Sequence, residues 1–512
     1  MCTCTATSPT RSKVAPSCPT APSLNWRITS LRPRSPERAN APPTTPNGPP
    51  CRRSIAERPN RPLSCSSARS TYSQTTPTLK AVGAGSYLQL AHCYWIVADI
   101  ERLGDICRRW LELARALRND AMLALAAGWF SLAFLFRAHP EPADIAAFAD
   151  ALRLDPSSLD LNDNRRFSLR GRWCATDAAG LRALLLAGLS FSWSLGVSFE
   201  LVGDDLPAPT SLALADEARR LAQHSNDAEV EDDVRIACLT VLMSSPDAAR
   251  LLDDSKRSTR LGYRIGGGGW IQAGIALGRL GRLDEMRALT EEMLKAAGKS
   301  GDRQLPFYAL VQQAIEALVR GRFEEADATS ERAFQVADPG EVVYQFNYAL
   351  LTLARMLNTG QADDARPLAE LLDSNPALDS SHLIGVVAAA QGDLDTTRSV
   401  LDAWRAAHHK LPVDMTLTGR LWGLAECAHA VGDADAAQHL YEHLAPFDAQ
   451  MHVYGFAFIP ASAASTLGRL AETIGDHDRA LAHYTNALAF EESCGAETLA
   501  ARTRDALAQT GS

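Results

Sequence analysis

The sequence lacks paired cysteines. Its 11 cysteines are irregularly spaced and none forms a Cys-x-x-Cys pair, the spacing on which most small zinc modules depend. Cys2 and Cys4 are separated by one residue, which does not fit a zinc knuckle. An odd number of cysteines in a chain of 512 residues also argues against a disulfide framework. We therefore expect reduced thiols and a cytoplasmic protein.

Long apolar runs are also missing. Two stretches without a charge, 121–136 and 183–199, contain 16 and 17 residues. Both are shorter than the roughly 20 residues that an α-helix needs to cross a bilayer. Both runs continue the helical period of the amphipathic helices that flank them, so we predict buried helices and no membrane contact.

Acidic residues are scarce at the beginning of the chain. Residues 1–80 contain 12 Lys and Arg, only two acids (Glu37 and Glu57), and 14 of the 27 prolines. Such a composition buries too little apolar surface to offset its ordering entropy, so we expect residues 1–80 to be disordered. Three explanations stay open: a transit peptide, a genuine basic tail, and a stretch translated in the wrong frame before the chain enters the correct one near Lys80.

A short turn pattern is repeated along the second half of the chain. It consists of Gly, a polar residue, an apolar residue and then Asp or Glu, and it recurs in steps of 32 to 43 residues. A period in this range is typical of helical solenoids, whose repeats pack only on their neighbours. The six turns are Gly281–Asp284, Gly321–Glu324, Gly360–Asp363, Gly392–Asp395, Gly432–Asp435 and Gly475–Asp478.

The residues around these turns fit two helices per repeat. After the last turn, small or aromatic residues recur with the spacing of one buried helical stripe. This repeat also resembles a tetratricopeptide repeat, because Gly468, Gly475, Ala480, Tyr484 and Ala487 match its small, turn and packing positions. Other repeats match less completely. We therefore predict an all-α, right-handed superhelix of tetratricopeptide-like repeats behind a disordered N-terminal segment.

The repeats divide the remaining chain near residue 260. Residues 261–512 carry the clear turns, and residues 81–260 are interpreted as diverged helical repeats. Within the diverged part, the run Leu-Gly-Asp-Ile at 103–106 is interpreted as a further inter-helix turn.

Four short stretches of the C-terminal part form a second set of matching residues: Leu-Pro-Val-Asp at 411–414, Leu-Trp-Gly-Leu-Ala-Glu at 421–426, Leu-Ala-Pro-Phe at 444–447 and Thr-Leu-Gly-Arg-Leu-Ala at 466–471. Together they resemble the repeat region of large actinobacterial signalling ATPases, which include LuxR-family regulators and class III adenylate-cyclase-like proteins. The resemblance covers about 410–508 and weakens back to about 270. It implies a sensing role beside an upstream P-loop ATPase domain. This sequence contains no Gly-x-x-x-x-Gly-Lys-Ser/Thr, so no catalytic residue of that family can be assigned.

Two motifs with catalytic potential have simpler interpretations. The run 298–300 (Gly-Lys-Ser) resembles the end of a phosphate-binding loop, but Met293 stands where that loop needs Gly. The run from His439 to His443 matches His-x-x-Glu-His, in which two histidines on one helix face hold a metal. A third ligand would have to come from another helix, so a polar helix face is favoured, with a zinc metallopeptidase as an alternative. We expect no enzyme activity, no cofactor and no metal.

Binding residues are predicted on the first helix of each repeat. In tetratricopeptide repeats this helix lines the concave face, and an exposed Trp beside charges is a plausible anchor for a partner. Two roles stay open for such a residue: partner contact, or packing against the next repeat. By register, the residues predicted on the concave face are Asn347, His382, Trp422, Glu426, His429, Arg469 and Glu472.

These observations predict a non-catalytic interaction or effector-sensing module of a bacterial signalling or transcription-regulatory ATPase. A protein partner or a small effector would bind the concave face. The net charge of −9 gives no overall electrostatic reason to bind nucleic acid. The alternative is that the chain is a fragment of a complete ATP-dependent regulator or nucleotide cyclase.

Overall fold

The structure is a computed structural model, and the residues it describes all belong to one compact unit, Thr75–Ser512. The segment 1–80, for which disorder is predicted, lies outside the described residues. Apart from short pieces at 86–94 and 150–154, the described ranges are 100–133, 177–193, 211–225, 227–259, 268–300, 304–336, 342–374, 380–409, 411 and 413–511.

Helices make up almost all of the described chain, and no strand occurs within it. Two short 3₁₀ turns, Val241–Ser244 and Ala445–Phe447, complete the helical elements. The α-helices are α1 (Ile100–Leu117), α2 (Asp120–Ala133), α3 (Ala178–Trp193), α4 (Ser211–His224), α5 (Ala228–Leu239), α6 (Ala248–Thr259), α7 (Gly268–Arg279), α8 (Leu283–Ser300), α9 (Gln304–Val319), α10 (Phe323–Val336), α11 (Val342–Asn358), α12 (Ala362–Asp373), α13 (Ser381–Gln391), α14 (Leu394–Ala406), α15 (Leu417–Val431), α16 (Ala434–Leu444), α17 (Ala463–Ile474), α18 (His477–Ser493) and α19 (Glu497–Thr510).

From α7 onward the helices form pairs joined by short glycine turns. The first helices of the pairs are α7, α9, α11, α13, α15 and α17, and each packs on the second helix of its own pair. Neighbouring first helices also touch one another, as α15 does with both α13 and α17. The predicted all-α, tetratricopeptide-like repeat fold is therefore confirmed.

The repeated turn pattern has a direct physical explanation at Gly432. This residue ends α15 in the left-handed conformation, with a φ of +69°, which costs a residue with a Cβ about 1–2 kcal/mol. The amide of Asp433 then donates to the carbonyl of Ala428 at 2.9 Å, and its side chain accepts from the amide of Ala436 to cap α16. All six predicted turn glycines have positive φ values.

The turn predicted at 103–106 is wrong. Helix α1 runs unbroken through these residues, and Gly104 lies inside it. A glycine costs a helix interior only about 1 kcal/mol. The apolar stripe of α1 outweighs this cost, because Leu103, Cys107 and Trp110 are all buried on one face.

The two apolar runs considered as membrane segments lie largely within α2 and α3. Most of their described side chains are buried among neighbouring helices, as predicted. No helix in the described part of the chain combines the length and the apolar character that crossing a bilayer requires.

The array from α7 to α19 returns on itself. The turn between α18 and α19 meets the turn after α7, where a Cβ on Gly281 would overlap the sulfur of Cys494. Beside it, the Thr498 hydroxyl donates to the carbonyl of Leu318 at the end of α9, at 2.9 Å. The first helices therefore enclose an interior face.

Candidate functional site

The interior face is occupied by a loop of the same chain, residues 450–462, which we call the interior loop. It connects the 3₁₀ turn after α16 to α17 and folds back on itself with Gly455 at its tip. The amide of Tyr454 donates to the carbonyl of Phe458 and that of His452 to the carbonyl of Ala461, each at 2.9 Å. These bonds satisfy backbone groups that burial would otherwise leave without water.

Aromatic side chains attach the interior loop to the first helices. Tyr454 meets His382 of α13, with ring centroids 5.0 Å apart. Phe458 meets Trp422 of α15 edge to face at 5.4 Å, and Phe456 meets Tyr308 of α9 at 5.3 Å. All three aromatic residues of the loop are buried. Burial of each such side chain stabilises the fold by roughly 1.5–3 kcal/mol.

Hydrogen bonds fix the same loop at both of its arms. The Thr418 hydroxyl of α15 donates to the carbonyl of Val453 at 2.9 Å and accepts from its amide at 3.1 Å. The hydroxyls of Ser380 and Tyr454 are 2.7 Å apart, and Arg502 of α19 donates to the carbonyl of Pro460 at 2.5 Å. The loop is therefore a packed part of the core.

Three of the residues predicted on the concave face are buried. Asn347, His382 and Trp422 are only 2%, 1% and 4% exposed. His382 and Trp422 both contact the interior loop, through the rings of Tyr454 and Phe458. Of the two roles left open for Trp422, the structure shows packing within the chain.

The other four predicted residues come together in the C-terminal halves of α15 and α17. We call Glu426, His429, Arg469 and Glu472 the polar cluster. Arg469 forms an ion pair with Glu426, and the Tyr484 hydroxyl donates to Glu472 at 3.0 Å. His429 Nδ1 lies 3.0 Å from the hydroxyl of Thr473. All four side chains are partly exposed, so this part of the interior face stays accessible to solvent.

Burial and neighbouring charges set the protonation of the polar cluster. Burial lowers the pKa of His429, and the positive charge of Arg469 adds to this effect. The Glu426 carboxylate raises the pKa of Arg469. The imidazole of His429 is therefore neutral at neutral pH, and together with the other three side chains it forms a set suited to hydrogen bonding with a polar partner.

The histidines of the zincin-like motif take part in ring packing. The ring of His439 packs against Trp404 and His409, with centroids at 5.6 and 4.6 Å, and against His443 at 4.9 Å. Within the described residues, no three His, Cys, Asp or Glu side chains are arranged to hold a metal ion. Glu442, the general base of the motif, is exposed and accepts a hydrogen bond from Gln438 at 2.9 Å. The geometry does not favour the metallopeptidase alternative.

Sequence reasoning missed the interior loop, although two signals were present. Tyr454, Phe456 and Phe458 alternate with small or apolar residues, a period of two that indicates an extended segment. The step from Gly432 to Gly475 is also the longest between turns, at 43 residues. An apolar connection of this length needs a place in the core, because a surface linker would be polar.

No family model and no curated protein matches this chain. Among solved structures, the APC/C hetero-tetramer Cut9–Hcn1 is 11% identical, with a TM-score of 0.41, over 85% of this chain and 92% of that one. Yeast Tom70 is 13% identical, with a TM-score of 0.28, over 82% and 88% of the two chains. A circular tandem repeat protein is 14% identical, with a TM-score of 0.12, over 85% and 95%.

Proposed function

We propose that this chain is a non-catalytic protein-interaction module that binds its partner through the polar cluster. The division of the interior face carries this proposal. Its apolar part is covered by the interior loop, whereas Glu426, His429, Arg469 and Glu472 reach solvent. A rigid helical array that presents a few fixed polar groups is suited to recognition.

The charge of the polar cluster indicates the kind of partner. Two carboxylates outweigh one guanidinium, and His429 is neutral because burial lowers its pKa. A segment with a basic side chain and hydrogen-bond donors would complement this set. We therefore propose a protein partner with a basic contact residue.

Matched substitutions test this site in the full chain. Glu472→Gln together with His429→Gln changes the polar cluster while keeping similar side-chain volumes. Glu442→Gln is the control, since Glu442 is exposed on α16 and belongs to the repeat surface. Proteins that co-purify with the tagged chain from its native cells would be quantified by mass spectrometry.

We expect the double variant to retain about a tenth or less of a partner that the control keeps, because a lost charged contact weakens binding about tenfold or more. Retention of every partner by both variants would contradict the proposal. Trp422 and Asn347 are unsuitable for this test, because they are buried and their substitution would disturb packing.

We also propose that the module acts in the cytoplasm as the regulatory part of a signalling ATPase. The support is the resemblance over about 410–508 noted in the sequence. Peptide mass spectrometry of the natural protein, read against the upstream DNA in three frames, tests it. Peptides encoded by an upstream ATPase frame are the expected result, and peptides from 1–80 with none upstream would contradict it.

A further inference from the structure

A cleft lies where the array returns on itself. It has a volume of about 490 Å³ and lies between the turns that follow α7 and α9 and the turn between α18 and α19. This volume is within the range of small-molecule sites. Its lining side chains are Asp284, Arg287, Glu316, Arg320, Arg322 and Glu497, and we call it the arginine cleft.

One buried carboxylate orients the three arginines. The Glu316 side chain is 3% exposed and accepts from Arg322 Nη2 at 2.5 Å. The Nε atoms of Arg320 and Arg287 lie 2.6 and 3.5 Å from the same carboxylate. Three guanidinium groups are thus held in fixed positions by a single buried negative charge.

The remaining carboxylates are near the solvent. Asp284 accepts from Arg320 Nη2 at 2.5 Å, yet its side chain is 95% exposed. Glu325 pairs with Arg287 and Arg322 and is 37% exposed. Ion pairs at such exposed positions contribute little to stability and are easily exchanged.

Directed donors, more than net charge, make this cleft suited to an anion. The lining carboxylates balance the three arginines in number, so the field of the cleft is not strongly positive. The Nε–H of Arg322, however, is buried and has no acceptor among the residues that the structure describes. A buried donor without an acceptor is unfavourable, and the side chain that carries it lines the cleft.

We propose that the arginine cleft binds a phosphate group, which replaces Asp284 on Arg320. Guanidinium forks match the oxygens of phosphate, and a group with three terminal oxygens can contact three forks at once. The site is separate from the polar cluster, so it stands or falls independently of the proposed partner-binding function.

Calorimetric titration of the full chain with inorganic phosphate tests the site, with sodium chloride at equal ionic strength as the reference. Saturable binding is expected, and Arg322→Gln should weaken it about tenfold or more. Arg282→Gln is the matched control, because Arg282 has the equivalent position in the turn after α7 but pairs with Glu285 and does not line the cleft. The control should bind as the unchanged chain does.

Asp284→Asn provides a second variant that leaves the buried Glu316 cluster intact. Because it removes the competing carboxylate from Arg320, phosphate should bind about two- to fivefold more tightly.

A parallel titration uses phosphoserine in place of inorganic phosphate. Equal affinity supports recognition of the phosphate alone, and tighter binding supports a phosphate carried on a larger ligand. The proposal would be overturned if phosphate showed no saturable binding to either the unchanged chain or Asp284→Asn. It would also be overturned if Arg282→Gln weakened phosphate binding as much as Arg322→Gln does.

Discussion

At the residue scale, Arg279 joins two distant parts of the chain. It is fully buried, and it donates to the carbonyls of Met243 at 3.0 Å and Ser245 at 2.6 Å and to the side chain of Gln450. Burial lowers its pKa to about 10, so it stays charged at neutral pH. A buried cation is tolerated where its hydrogen bonds are made, and here they link the 3₁₀ turn after α5 to the interior loop.

A second buried residue makes stability depend on pH. His452 lies in the interior loop with Nε2 3.0 Å from the Thr466 hydroxyl, and burial lowers its pKa to about 3. An unfolded histidine has a pKa of about 6.5, so the unfolded chain takes up a proton that the folded chain excludes. The free energy of unfolding should therefore fall as the pH decreases from about 6.5, by up to about 1.4 kcal/mol per pH unit.

Urea unfolding of the chain and of His452→Gln between about pH 6.5 and 5 measures this contribution, above the range where most carboxylates titrate. His429 and His483, whose pKa values burial also lowers, remain in both proteins and shift both curves alike. The variant should show a shallower fall. Equal slopes would mean that His452 is not buried as the structure places it.

At the element scale, the interior loop has the largest effect on what the repeats can bind. It covers the apolar part of the face that the first helices would otherwise present to a partner. Without the loop, the first helices could bind an apolar segment of a partner on this face. With the loop in place, the accessible part of the face is polar and lies in the C-terminal halves of α15 and α17.

Phe458→Ala should show how much this loop stabilises the array. Phe458 is 3% exposed, so its truncation should lower the free energy of unfolding by about 3–5 kcal/mol. Leu394→Ala is the control, because Leu394 is 42% exposed and its truncation should cost less than about 1 kcal/mol. Similar costs in chemical denaturation would show that the loop does not pack on α15.

The sequence was sufficient for the helix pairs because their signals are local. A left-handed glycine, an Asp cap and a 3.6-residue period all act within a few positions, as at Gly432 and Asp433. His382 and Trp422, which the same period predicts on the concave face, contact the interior loop. The period could not show that this face is filled, since that depends on contacts such as the Met451 amide with the Arg279 carbonyl, far apart in the chain.

The arginine cleft was beyond sequence reasoning for a related reason. Arg287, Glu316 and Arg322 come from neighbouring repeats, but the cleft exists only because the turn before Glu497 is placed against them. That placement depends on the curvature of the whole array. A local pattern contains no measure of this curvature, because small rotations between repeats add up along the chain.

At the scale of the whole molecule, contact between the two ends of the repeat array limits its movement. The turn at Gly281 meets Phe490 and Cys494, and Thr498 bonds to Leu318. Open solenoids flex because their ends are far apart. Here the first helices are held around the interior loop, so we expect one cooperative unfolding unit from α7 to α19.

Gly281→Ala tests this closure, with Gly432→Ala as the matched control. Both residues have a φ of +69°, so both variants carry the same backbone strain of about 1–2 kcal/mol. A Cβ on Gly432 meets no atom within 4 Å, whereas one on Gly281 overlaps Cys494. Gly281→Ala should therefore lose at least about 1 kcal/mol more in the free energy of unfolding. Equal losses would contradict the contact between the two ends.

Hydrogen exchange of the interior loop, followed by mass spectrometry on peptides that span 450–462, tests most directly that the first-helix face is filled. The amides of Met451, His452 and Tyr454 all donate hydrogen bonds inside the fold, and the loop is buried. We expect these peptides to exchange as slowly as the buried helix α9. Exchange within seconds, at the rate of an exposed linker, would contradict a packed interior loop and leave the whole face open to partners.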